Sequence, residues 1–96
     1  VCMRIYYPPK KDAINRTKHD GLSLPDGEPV LYDEFALDRP DDDTHGGRRR
    51  VVLGRNGIID KILVVAYEID DHADLITILS VRKAEPKERR QYHEGE

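Results

Sequence analysis

Residues 75–92, LITILSVRKAEPKERRQY, constrain the fold more than any other stretch of the chain. They open as an apolar strand, Leu75-Ile76-Thr77-Ile78-Leu79, and turn basic at Arg82-Lys83. Pro86 then starts a short charged helix that runs to about His93 and contains Tyr92. An apolar strand of this kind needs cover on a sheet. Cations fixed at its end are held more precisely than loop residues would be.

A partner for this strand lies just upstream. Residues 62–69 are apolar at nearly every position, which predicts a central strand. Residues 70–74 form a polar turn between the two. Residues 49–53 predict a further strand, and Asn56-Gly57 is a hairpin signal between it and residue 62. Met3-Arg4-Ile5-Tyr6-Tyr7 reads as a short β-branched and aromatic strand ended by Pro8-Pro9. Pro9 suits the first position of a helix over residues 10–19, because its missing N–H costs nothing there. On that helix Lys11, Asn15, Lys18 and His19 share one face, and Gly21 is the expected left-handed stop. Ser23 can cap a second short helix that Gly27 and Pro29 weaken. Phe35-Ala36-Leu37 reads as a brief strand, and residues 38–47 as a solvated loop. Strand, one or two helices, an antiparallel meander and a final helix make an α+β two-layer domain. Ninety-six residues suffice for one such domain, residues 1–96, and not for two.

Composition narrows the partners. The formal net charge is −3, so the whole molecule is not a general polyanion binder. The cations are bunched, however, at Arg48-Arg49-Arg50 and between Arg82 and Arg90, which leaves a local basic face for RNA or an acidic partner. The one cysteine, Cys2, allows no disulfide framework and suits a cytoplasmic setting. No signal peptide or membrane-spanning run is expected, and Met3 is a candidate start residue. The acidic run Asp41-Asp42-Asp43 with His45 lacks the spacing of a calcium loop, and the four histidines lack zinc spacing. No metal and no cofactor are expected.

Several fragments share an order and spacing with a known family. They are Asn15-Arg16-Thr17-Lys18-His19, Gly21-Leu22-Ser23-Leu24, Asp33, an arginine-bearing strand ending at Gly54, and Leu63-Val64-Val65. The run Ile78-Leu79-Ser80-Val81-Arg82-Lys83-Ala84 with Glu88-Arg89 and Tyr92 completes the set. Together they resemble BrnT-type toxins, the ribonuclease half of type II toxin–antitoxin pairs, with a RelE-like fold. The resemblance implies an antiparallel sheet of three to five strands, with one or two N-terminal helices and a C-terminal helix.

It also implies metal-independent endoribonuclease chemistry, in which the ribose 2′-OH attacks the adjacent phosphate. Such a reaction needs a base, an acid and cations around the phosphorus. The candidate catalytic residues are Arg49, Arg82, His19 and Lys18. Guanidinium groups match two phosphate oxygens at once, and histidine is the side-chain type suited to proton transfer at neutral pH. Lys11, Asn15, Lys83 and Tyr92 are the candidate substrate contacts. Lys11 and Lys18 are equally readable as solvated helix residues, His19 as a helix C-terminal contact, and Tyr92 as a ring packed on the sheet.

By the same resemblance the partner is a BrnA-like ribbon-helix-helix antitoxin. It would bring operator DNA to the complex indirectly, and a dimer of the toxin in that assembly is left open. The loop at Asp41-Asp42-Asp43 is a candidate antitoxin or dimer contact. The chain departs from the family pattern at four places. Pro8 follows Tyr7 where an acid is usual, Asp20 is additional, Gly46-Gly47 stands where an acid precedes the strand arginine, and Thr77 stands where arginine is frequent. These departures motivate the alternative of a weak or inactive toxin-fold module that pairs with the antitoxin in operon autoregulation.

Overall fold

The computed structural model describes residues 4–41 and 48–94. Met3, Cys2, residues 42–47 of the acidic loop and the Gly95-Glu96 end lie outside the described residues, and so do the readings placed on them. The elements are β1 (Arg4–Tyr6), α1 (Pro9–Lys18), a 3₁₀ turn (Leu24–Gly27), α2 (Glu28–Leu31), β2 (Leu37–Pro40), β3 (Arg49–Asn56), β4 (Lys61–Asp70), β5 (Leu75–Lys83) and α3 (Pro86–Glu94). The strands form one sheet in the order β1-β5-β4-β3-β2. It is an α+β fold. The β2-β3-β4-β5 meander is antiparallel, as read from the sequence. β1 joins β5 in parallel and makes the sheet mixed.

One face of the sheet carries the larger core. Leu63, Val65 and Tyr67 of β4, Ile78 and Val81 of β5, and Val52 of β3 are buried there. Leu22, Leu24 and Val30, from the turn and α2, cover them. The central strand is apolar on both faces because α3 covers part of the other one. There Leu53, Val64, Ala84 and Tyr92 form a second cluster.

The short helical segments lie close on the sheet, and Gly27 makes this possible. A Cβ at residue 27 would stand 2.8 Å from Val81 Cγ2 and 3.0 Å from Val65 Cγ2, two core side chains without room to move. Gly27→Ala is therefore expected to destabilise by about 1–3 kcal/mol through overpacking, measured by urea unfolding; an unchanged midpoint would show that the turn can lift off the sheet. Tyr7 fastens the same layer by donating its hydroxyl to Glu28. Burial, reinforced by that carboxylate, pushes the Tyr7 phenol far above its ordinary value.

Three boundaries differ from the sequence reading. The brief strand expected at Phe35-Ala36-Leu37 starts only at Leu37, because Asp33 holds a turn: Phe35 N–H donates to its Oδ1 at 3.0 Å and Ala36 N–H to its carbonyl at 3.1 Å. The first part of the expected loop, Asp38-Arg39-Pro40, pairs with β3 as strand. The hairpin signalled by Asn56-Gly57 is there, but β3 runs on to Asn56 and β4 starts at Lys61, which leaves a four-residue connection. Buried Asn56 accepts N–H bonds from Ile58 and Ile59 and donates to Asp26 O at 2.7 Å, and its side chain thereby starts the turn.

Candidate functional site

β1 pairs with β5 only over Leu75 to Thr77, so the rest of β5 has no strand on that side. α1 lies there instead. Its apolar content is thin, and Ile14 stays exposed. What attaches it is Asn15, 3% exposed. The Asn15 amide donates to Val81 O at 2.9 Å and to Leu22 O at 2.7 Å, and its Oδ1 accepts the Val81 N–H at 2.9 Å. One side chain thus imitates a neighbouring strand, satisfying both backbone groups of Val81. Its amide is spent on the fold.

With that attachment, the remaining residues of the α1 face line up along β5. Lys11, Lys18, His19, Leu79 and Ser80 border one hollow of about 180 Å³. Lys18 and His19 also border a second hollow of about 180 Å³, with Arg82, Lys83, Asp20 and Glu85. Lys18, His19, Arg82 and Lys83, four of the eight residues singled out from the sequence, therefore meet at one place. α1 stops there because Asp20 and Gly21 both take the left-handed conformation, at φ 53° and 79°. Asp20 bridges to Lys83 Nζ at 3.4 Å, an exposed and hence weak pair. Lys11 and Lys18 make no ion pair among the described residues.

Arg82 points to the sheet face that carries α3. So does Arg49: its cross-strand partner Glu68 and the Arg82 partner Val64 are four residues apart on β4, an even step. The two arginines are about 13 Å apart along the strands and two strands across. Each guanidinium has its own carboxylate. Arg49 Nη2 lies 3.2 Å from Glu68, while its buried Nε has no partner among the described residues. Arg82 grips Glu88 with both terminal nitrogens, at 2.8 and 2.9 Å. That bond raises the Arg82 pKa and, against the opposing effect of burial, holds the Glu88 carboxyl below its usual range. Arg50 faces the other way, at 3.2 Å from Asp38, which also accepts the Tyr67 hydroxyl at 2.6 Å.

Tyr92 is 3% exposed, and its hydroxyl donates to Asp33 Oδ2 at 2.6 Å. The ring packs on the sheet, the second of the two readings, and fixes α3. A hollow of about 630 Å³ between β2, β3 and α3 is bordered by none of the eight sequence candidates.

The sequence reading named Glu88 among the residues of the resemblance but gave it no place in the site. Its signal was present: Pro86 opens α3, and an acid at the third helical position reaches back to the N-cap N–H. Here Glu85 N–H donates to Glu88 Oε1 at 2.8 Å. Asp33 was also missed as an anchor. It accepts from Tyr92, the Arg55 N–H at 2.8 Å and the Phe35 N–H. Burial pushes its carboxyl up, but these donors outweigh it and hold the carboxyl below the ordinary value.

Among the described residues, no helix is long and apolar enough to cross a membrane. A comparison with curated proteins finds no match. The family model described as the ribonuclease toxin BrnT of type II toxin–antitoxin systems matches residues 7–88, a span that contains Asn15, the α1 end, β5 and Glu88. The chain belongs to the BrnT family of ribonuclease toxins of type II toxin–antitoxin systems.

Proposed function

We propose that this protein is the toxin of its pair, an endoribonuclease that cuts RNA without a metal ion and is neutralised by a ribbon-helix-helix antitoxin. The observation that carries this reading is the meeting of Lys18, His19, Arg82 and Lys83 at the junction of α1 and β5, within the matched span. In the proposed reaction His19 takes the proton of the ribose 2′-OH as its oxygen bonds to phosphorus. The bond to the 5′-oxygen breaks and the departing oxygen takes a proton from water, leaving a 2′,3′-cyclic phosphate and a 5′-hydroxyl, while His19 returns its proton to solvent. Arg82 and Lys18 stabilise the charge that builds on the phosphoryl oxygens. Lys11 and Lys83 hold flanking phosphates, and Arg49, on the same sheet face but farther along, takes a neighbouring one. Asn15 and Tyr92 act by positioning β5 and α3. The antitoxin covers this basic junction and carries the complex to operator DNA.

Induced expression is expected to arrest growth and fragment RNA, and purified protein to cut RNA in the presence of EDTA. Arg82→Ala is expected to lower cleavage by about 10²–10³-fold while thermal melting confirms a folded protein. A second reading draws on one observation, that Glu68 and Glu88 already neutralise Arg49 and Arg82. On that reading the protein is a toxin-fold binding module with little nuclease activity. RNA that survives equimolar protein, with nanomolar antitoxin binding intact, would favour it and end the nuclease reading.

A further inference from the structure

β1 carries a large aromatic side chain on the open face of the sheet. Tyr6 is 50% exposed, and its side chain makes no hydrogen bond among the described residues. Its place follows from register. Tyr6 lies beside Thr77, Thr77 beside Glu68 and Glu68 beside Arg49, so four strands contribute one row to one face. Arg82 is on that face too, brought there by the β5 irregularity opposite Ala66 and Tyr67. The next row, Ser80, Ala66 and Val51, is short side chains, with Arg39 at its β2 end. The face is therefore a shallow floor with a tall ring on one side and Arg39 and Arg49 on the other. Ser80 also borders the hollow of Lys11, Lys18 and His19, so floor and hollow meet.

We infer that Tyr6 is a base-stacking residue: it receives an unpaired base of single-stranded RNA whose backbone runs towards Arg49 on one side and the α1–β5 junction on the other. This rests on the ribonuclease reading. The chemistry is general. An open sheet face with an exposed aromatic ring stacks splayed-out bases, and flanking arginines hold the phosphates between them. The step from Tyr6 to Arg49 is three strand spacings, about 14 Å. Stacking is indifferent to hydrogen-bonding pattern, so Tyr6 contributes grip at a position next to the cut and favours the bases that stack best. Burial does not account for the ring, since the core face takes Ile5 and leaves Tyr6 outside.

The test uses the full chain and a short RNA that carries 2-aminopurine beside the cleavage site, with a 2′-deoxy sugar at the cut to prevent reaction. Wild type is expected to quench the probe on binding. Tyr6→Leu keeps an apolar strand residue and is expected to lose the quenching, with weaker binding by about 5- to 100-fold. On cleavable RNA the loss falls on KM with kcat largely retained, and Tyr6→Trp restores both binding and quenching. A purely structural role would instead lower the melting temperature of Tyr6→Leu and reduce kcat. If wild type cuts RNA and Tyr6→Leu matches it in KM and quenching, the stacking role is overturned and the nuclease stands. If wild type neither binds nor cuts RNA, both fall.

Discussion

Asn15→Ala is expected to lose at least about 3 kcal/mol of stability, because three buried backbone groups lose their partner and each unsatisfied group costs about 1–3 kcal/mol. The groups are Val81 N–H, Val81 C=O and Leu22 C=O. For a domain of this size the melting temperature should fall by at least about 12 °C. Asn15→Asp should be no better, since a carboxylate accepts from Val81 N–H but faces two carbonyl oxygens without a donor. Thermal and urea unfolding check both variants. A loss under about 1 kcal/mol would mean that water replaces the amide and that α1 is attached by other means. The same variants separate two roles for the residue. If Asn15→Ala melts like wild type yet no longer binds RNA, the amide contacts substrate and is not a tie between α1 and β5.

Tyr92→Ala is expected to cost about 3–5 kcal/mol, the range for removing a buried aromatic side chain. Tyr92 is the one buried residue of α3 among those described. Its ring joins Leu53, Val64 and Ala84, so truncation opens a cavity and loosens the helix. The consequence reaches the site, because α3 carries Glu88 and Glu88 holds the Arg82 guanidinium. RNA cleavage should fall together with stability. Tyr92→Phe keeps the ring and loses the bond to Asp33, at a cost of about 1–2 kcal/mol. That bond helps to keep the Asp33 carboxyl below its usual value. A carboxyl depressed by folding stabilises above its unfolded pKa of about 3.9. The contribution is lost as pH falls through the lower folded value. The stability gap between wild type and Tyr92→Phe should therefore be full near neutral pH and close in strong acid. A gap that stays constant into acid would mean that Asp33 is not the partner that matters.

The chain by itself determined its long-range plan through local patterns. Ile62 to Ile69 and Leu75 to Val81 are apolar enough that they had to become sheet, and β4 and β5 formed there. Pro9 and Gly21 mark the limits of α1 because backbone geometry at those residues is a local property. Lys11, Lys18 and His19 share a face by helical spacing alone. Asn15 to His19 and the run from Ser80 also carried the resemblance, and as far as Glu88 they lie within the matched span. These residues keep their order and spacing whatever the tertiary contacts.

Tertiary structure decided the rest, because it depends on which strand lies beside which and in what register. Thr77 and Arg82 are five residues apart, which in a regular strand means opposite faces. The shift between Ala66 and Tyr67 brings them to the same one, and with Arg82 there, Arg49 and Tyr6 become its neighbours. Asn15 looked like a polar member of an exposed helix face until β5 presented an unpaired Val81 beside it. Tyr92 and Asp33 are 59 positions apart and meet only when α3 folds back over β3. Side-chain periodicity is written residue by residue along the chain; a cross-strand pair exists only after two distant segments have chosen each other.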